Sequence, residues 1–411
     1  MKYDLAVIGA GPAGLMAAIS AAELGARVIV YEKNNRPGLK LLATGGGRCN
    51  VTNNVADPKK LAALYEPNDK FLISAFSRFG APEMIDFLED KGLELKEEEK
   101  GRVFPVSNKS QDVLSVFLRE IRRLKIKLMI NSSVSGFEAS STKIKNLLVG
   151  ENKIEAKNYL ISVGGASYST TGSSGDAYKW LEDLGHNIIT PRPALSKIYT
   201  LDSRIKLFEG ISLSNISLSF MAGGAKPISS RGDAIFTSNG LSGPAAFNLS
   251  RFIKPKAKGK IVLDFFPDKD EEELDEELNN IFRLGKKSVK NVLENMLAPK
   301  LVLVLLELSS INPEMQANSV TKEKRIALVS LLKSLSFALS AIGGFLEAMT
   351  TAGGVDLKEV DPKTMRSKIY NNLYFAGEIL DLSGPSGGYS LQMCWSTGYV
   401  AGQAAAESAL N

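Results

Sequence analysis

Apolar and polar positions divide the chain into three successive textures. In residues 4–8, DLAVI, an acid is followed by a short unbroken apolar run, as a strand buried on both faces requires. A glycine turn, a helical pattern over 13–24 and a second apolar run, ARVIVYEK, follow; together they predict one βαβ unit whose second strand ends on an acidic residue. Next come helical patterns over 58–92, an acidic KEEEK turn, a helix near 110–124 and a strand pair on either side of 134–150. The segment YLISVGGASYSTTGSSGDAYKWLEDLGHNII then reads as a buried strand, a long Gly/Ser loop and a helix. From about Pro191 alternation takes over: SKIYTL, ISLSNISLSFMA and KIVLDFFP read as strands, and an acidic helical block opens at DKDEEELDEEL. Near Ala348 strand and loop return in TAGGVDL and NLYFAGEIL, and MCWSTGYVAGQAAAESAL closes the chain as a helix. The pattern is α/β, with the two chain ends forming one domain around a β-plus-helix insert.

Length and composition narrow the class. A chain of 411 residues exceeds one comfortable core, so two or three domains are expected. Its two cysteines, Cys49 and Cys394, stand far apart and outside any CxxC spacing, which argues against a disulfide scaffold or thiolate metal site and for a reducing, cytoplasmic home. The apolar N-terminus has glycine spacing and an acidic Asp4 that suit strand, turn and helix better than a cleaved signal. The apolar run Leu301–Leu306 falls well short of the roughly 18 to 20 residues of a membrane span. Formal charge is +5, with denser clusters in REIRRLKIK (119–127) and RFIKPKAKGK (251–260). These read first as a helix face and a solvated loop, and second as nucleic-acid contacts. No pattern specifies an oligomeric state.

The motif GAGPAG, residues 9–14, directly follows the first strand and opens the first helix, while Glu32 ends the next strand. In that setting Gly9 serves the tight turn, Gly11 lets backbone N–H groups approach a pyrophosphate, Gly14 permits close helix packing, and Glu32 accepts from a ribose hydroxyl. NLYFAGEILDLSGPSGGYSLQ (372–392) supplies a second strand, Gly377, Glu378, a glycine loop and the final helix. A nicotinamide dehydrogenase has no use for that return. A flavin does, because its ribityl chain calls for a carboxylate and its reduced ring for the positive end of a helix. GPSGG also fits the serine-hydrolase GxSxG turn, but Ser386 would need a histidine, and the one histidine, His186, lies in LGHNI, read as a solvent-facing turn. Acyl transfer is set aside, and the same scarcity of His and Cys argues against a metal site.

GAGPAG, LLATGGGRCNVTN, GRVFPVSNKSQDV, FTSNGLSGPAA, TAGGVDLKEVDPKTMRSK and FAGEILDLSGPSGGYSLQ, in this order, resemble one flavoprotein family over nearly the whole chain. It is the FAD-dependent group that includes aminoacetone oxidase, a bile-acid enone reductase and a ribosomal-RNA dihydrouridine synthase. The resemblance implies a Rossmann-like FAD-binding domain made from 1–192 and 349–411, with an insert at 193–348. The insert would be a β-barrel (about 193–266 and 336–348) carrying a helical part (about 267–335).

Matched motif by motif, the resemblance assigns Gly9, Gly11, Pro12, Ala13 and Gly14 to the pyrophosphate, and Glu32 and Lys33 to the adenosine ribose. Lys40, Thr44, Gly45, Gly46, Gly47, Arg48, Cys49 and Asn50 go to the flavin side, with the last three on the loop rim. Val134 is placed at adenine, Gly164 and Gly165 at a second backbone approach, and Gly377, Glu378, Gly388, Tyr389, Ser390 and Leu391 at ribityl and ring. Candidate catalytic groups are Cys49, Arg48 and Tyr389; Cys49 is either an acid beside the ring or an inert buried thiol, and Arg48 either binds substrate or pairs within its loop. The chain departs from the pattern at Ser238, where many relatives carry histidine, at Gly343, often arginine, and in GRVFPVS, which lacks the cysteine of the RNA-modifying relatives. Three functions stay open: a reductase passing hydride from flavin N5 to an activated C=C, with uridine in ribosomal RNA as candidate substrate; an amine or ketone oxidase using oxygen; or a flavin-bearing RNA-binding protein without turnover. With one dinucleotide motif, NAD(P)H would act only as a transient donor over the flavin.

Overall fold

The computed structural model describes residues 3–224, 226–284 and 287–411. The described chain divides into two compact units, one running to Pro193 and resuming with Phe345–Asn411, the other Ala194–Gly344.

In the first unit, strand β1 (Tyr3–Ile8), helix α1 (Pro12–Glu23) and strand β2 (Val28–Tyr31) form the expected βαβ unit. The sheet runs Leu373–Phe375, Ala156–Ile161, β1, β2, Lys127–Met129, and every pair is parallel. Leu5 lies opposite both Val28 and Asn158, and Ile161 opposite Phe375, so a strand from the end of the chain completes the sheet begun at its start. Burial of nearly every side chain in these strands explains their unbroken apolar runs.

The terminal helix (Tyr389–Leu410) seals this arrangement against α1. A Cβ at Gly398 would lie 2.3 Å from the Ala13 carbonyl oxygen, and one at Gly402 2.2 Å from that of Ala17. Only glycine admits so close a crossing. The Ser20 hydroxyl donates to the Tyr399 carbonyl at 3.1 Å, and Trp395 stacks on Phe117 with centroids 4.9 Å apart. At the helix end, Lys157 donates to the Ala409 carbonyl (2.6 Å) and pairs with Asp4 (3.1 Å), which also holds Arg27 at 3.0 Å.

Two local expectations are corrected. KEEEK is not simply a turn: Leu95–Glu98 is a strand paired with Arg102–Pro105, and the reversal is displaced to Glu99–Gly101, where Lys100 takes φ +64°. His186 does not face solvent; it is 3% exposed. Its Nδ1 lies 2.9 Å from Glu359 Oε2 and its Nε2 3.2 Å from Ser367 Oγ, with the edge of the ring against Phe375.

The second unit is a closed barrel in the order Ile198–Thr200, Gly240–Ser242, Ile228–Thr237, Ser212–Met221, Lys260–Asp264, Leu335–Ile342. Phe208, Phe236 and Phe337 meet inside it. Between its last two strands run helices that include Glu271–Leu284, Pro299–Leu308 and Lys322–Ser334. Arg325 clasps Asp275 at 2.7 and 3.0 Å, fixing the acidic helix to its neighbour. The run Leu301–Leu306 is a helix segment buried but for Leu303, and no helix among the described residues is long and apolar enough to cross a membrane.

Candidate cofactor site

The three glycines of GAGPAG divide their work as their spacing suggests. Gly9 turns at φ +97° and its N–H donates to the Tyr31 carbonyl at 2.8 Å. A Cβ at Gly14 would sit 1.9 Å from the Gly9 carbonyl oxygen, whereas one at Gly11 meets nothing within 4 Å. The backbone is therefore tight where helix meets strand and open where a ligand would approach. Gly11 caps α1 without a side-chain acceptor and the first turn carries no acid, so no side chain of α1 takes up the N–H groups at its start. That is the donor set a pyrophosphate calls for.

Glu32 is buried at the end of β2. Its Oε2 accepts the Ala10 N–H at 2.8 Å, and its Oε1 accepts from the Asn34 backbone (2.9 Å) and side chain (2.7 Å). A carboxylate held this way keeps lone pairs for hydroxyl donors. Lys33 reaches Asp176 at 2.8 Å and Ser174 at 2.6 Å, which holds the Asp176 carboxyl below its usual range. Ser132 N–H donates to the Glu32 carbonyl at 2.9 Å, which ties the chain two residues before Val134 to the residue that follows β2.

At the other flank Gly377 bends the chain at φ +78°, and a Cβ there would lie 2.9 Å from Ala13 Cβ, in the first turn of α1. The next residue, Glu378, is buried; its Oε2 receives Lys40 Nζ at 2.5 Å, while Oε1 has no hydrogen-bond partner among the described residues. Gly164 and Gly165 pack on protein: Cβ atoms there would meet Ser173 Oγ at 2.3 Å and Thr351 Oγ1 at 2.3 Å.

The triple glycine lies in a short 3-10 turn, Thr44–Gly47, in which Gly45, Gly46 and Gly47 all have positive φ. Gly46 and Gly47 face open space. Cys49 N–H closes the turn on the Thr44 carbonyl at 3.0 Å. The next residues are stitched to the C-terminal glycine loop: the Asn50 amide oxygen accepts the Gly388 N–H (3.1 Å), Asn53 donates to the Gly387 carbonyl (3.2 Å), and Trp395 donates to the Val51 carbonyl (3.0 Å).

The catalytic candidates part company here. Cys49 does not stand on the loop rim. It is 0% exposed, and burial pushes its thiol up to about 12, because the chain must dive beneath the turn to start the strand at Thr52. Arg48 turns away to Glu98 and Asn108 and covers the Phe104 ring at 4.1 Å; its charge holds the Glu98 carboxyl low. Tyr389 opens the terminal helix, its carbonyl accepts from Tyr65 at 2.6 Å, and partial burial raises its phenol. Ser390 and Leu391 complete that first turn, which carries neither an acid nor a side-chain cap. Sequence reasoning missed Asn34, Ser173 and Tyr178, although SSGDAY was visible as a Gly/Ser loop opening a helix.

This is a Rossmann-type site of the flavoprotein oxidoreductase class. The chain belongs to the HI0933-like family, described as the HI0933-like protein Rossmann domain, which matches residues 3–404. It is 30% identical to the 3-dehydro-bile acid delta(4,6)-reductase of Clostridium scindens over 98% of this chain and 99% of that one. It is 31% identical to the ribosomal RNA dihydrouridine synthase of Haemophilus influenzae over 96% of each. In fold it is similar to the 3-ketosteroid-delta4-(5alpha)-dehydrogenase of Rhodococcus jostii RHA1, with TM-score 0.53 and 14% identity across 100% of this chain and 97% of that one.

Proposed function

We propose that the protein is an FAD-dependent reductase of an electron-poor carbon–carbon double bond, with uridine in ribosomal RNA as the candidate substrate. The cofactor reading rests on the buried, half-satisfied Glu378 carboxylate one residue from the point where Gly377 meets the uncapped start of α1. Such a pair offers a pyrophosphate its donors and a sugar-like chain its acceptor within one short span. FAD supplies hydride chemistry when bound. The C=C reading draws on the two relatives, a delta(4,6)-reductase and a dihydrouridine synthase, whose names share saturation of a ring double bond. An RNA substrate would place the protein in the cytoplasm.

In this reading the α1 N–H groups hold the pyrophosphate, Glu32 the ribose, Glu378 the ribityl chain, and the start of the terminal helix favours negative charge at the ring edge. The proton for the neighbouring carbon comes from Tyr389. Its hydroxyl makes no hydrogen bond among the described residues, whereas Cys49 is sealed in the core and Arg48 is committed to Glu98. A raised phenol stays protonated at neutral pH, as an acid must. NAD(P)H is the proposed electron donor, binding transiently.

The test is nucleoside mass spectrometry of ribosomal RNA from cells with and without the gene. Loss of dihydrouridine on deletion is expected. Unchanged dihydrouridine removes the RNA substrate, and rapid peroxide release with amines would replace it with an oxidase.

A further inference from the structure

Among the described residues of the first unit, Glu378 Oε1, Ser173 Oγ and Tyr178 Oη are buried without a hydrogen-bond partner. Their residues are 6%, 5% and 8% exposed. A buried polar group left alone is costly, so such groups close together mark a place that receives a partner. Ser173 and Glu378 share a neighbourhood, and Tyr178 lies within reach of the Glu378 charge. A Cβ on Gly164 would lie 2.3 Å from Ser173 Oγ and 3.9 Å from Glu378 Oε2, so both side chains converge on one bare glycine. Tyr178 stands on the helix Asp176–Asp183 that follows, its ring 3.4 Å from where a Gly175 Cβ would be. Burial and the charges of Glu378 and Asp381 keep its phenol protonated.

The donors and acceptors specify the guest. Glu378 Oε1 only accepts, the protonated phenol donates, and a serine hydroxyl does both. A phosphate brings acceptors and would be repelled by the carboxylate; a cation would leave the phenol proton unmatched; an apolar ring would match none of the three. A chain of vicinal hydroxyls, each donor and acceptor, matches all of them. Lys40 on the other Glu378 oxygen offsets the charge, which suits a neutral guest. Position agrees as well: Gly377 touches Ala13, so the subsite adjoins the helix start where a pyrophosphate would sit, and the polyol of a flavin is bonded directly to that phosphate.

We propose that Ser173 and Tyr178, with the free oxygen of Glu378, form the subsite that takes the ribityl chain of the flavin. This rests on the FAD reading above. The test is titration of the deflavinated full-length protein with FAD and, separately, with ADP, which shares the adenosine and pyrophosphate but lacks the polyol. Ser173→Ala and Tyr178→Phe should each weaken FAD about 5- to 10-fold, the loss of one hydrogen bond, while ADP binds as in wild type. FAD affinity unchanged in both variants overturns the subsite and leaves those atoms to buried water. An equal loss for FAD and ADP also overturns it, as general loosening of the fold. A wild-type protein that takes up ADP but no FAD overturns the cofactor reading itself and the subsite with it.

Discussion

At the scale of single residues, the site is governed by which side chains are already engaged. Tyr389→Phe removes the one candidate acid whose hydroxyl is uncommitted, without touching the hydrogen bond its backbone carbonyl accepts. Turnover should fall about 10²- to 10⁴-fold, the usual worth of a positioned acid, with flavin content unchanged by absorbance. An equally active variant would remove the phenol from the chemistry. His186 offers a pH test. Burial holds its pKa below the ordinary histidine value of about 6.5, more strongly than Glu359 raises it. The unfolded chain therefore binds the proton first, so the stability contributed by the neutral ring is full above pH 6.5 and is lost as pH falls from there toward the folded value. Urea midpoints should drop between pH 7.5 and 5, and His186→Gln should flatten that slope. Little of this was legible in the sequence. GAGPAG and Glu32 announce themselves because backbone geometry is local. The burial of His186 depends on Glu359, Ser367 and Phe375, and the diversion of Arg48 on Glu98 and Asn108, residues that no window around either position contains.

At the scale of elements, the contact between α1 and the terminal helix is the joint on which the cradle depends. Glycines at 398 and 402 each face a carbonyl of α1 at a distance no Cβ tolerates. Gly402→Val should force the helices apart at a cost of about 1–3 kcal/mol or more. A lowered melting temperature with reduced flavin retention is the expected result, and a variant that melts with the wild type would show that the crossing relaxes without consequence. Strands and helices were otherwise readable wherever burial on one side imposed a period, as in Ser212–Met221 and Ser110–Arg123, or burial on both faces an unbroken apolar run, as in β1. KEEEK misled because charge density reads as a turn, while pairing of Leu95–Glu98 with Arg102–Pro105 is set by the neighbouring strand.

At the scale of the molecule, charge is the feature that bears on an RNA partner. In the first unit Arg119 and Arg123 of the basic helix are partly occupied, by the Lys91 carbonyl and by Glu120. In the second, Lys254, Lys256 and Lys258 are all exposed on one loop. Replacing these three with alanine should weaken ribosomal-RNA binding and lower its salt slope by about 2, given roughly 0.7 per phosphate contact on single strands. Filter binding at several salt concentrations measures both, and an unaltered slope returns the loop to solvent. The layout of an α/β domain interrupted by strands and helices was visible in the change of texture near Pro191 and Ala348. Closure of the inserted strands into a barrel was legible only through the family resemblance, because the pairing of Ile198–Thr200 with Leu335–Ile342 joins segments more than a hundred residues apart, which no periodicity encodes.

The parallel sheet that joins the first strand to Leu373–Phe375 also sets a timetable. A ribosome releases the glycine turn at residue 9 early, but the carboxylate at 378 and the helix that presses on α1 follow only after roughly 20–75 s of further synthesis, at about 5–20 residues per second. The cradle stays incomplete until then, so cofactor uptake would distinguish finished chains from interrupted ones, and an abandoned nascent chain would display an apolar sheet edge for proteases to find.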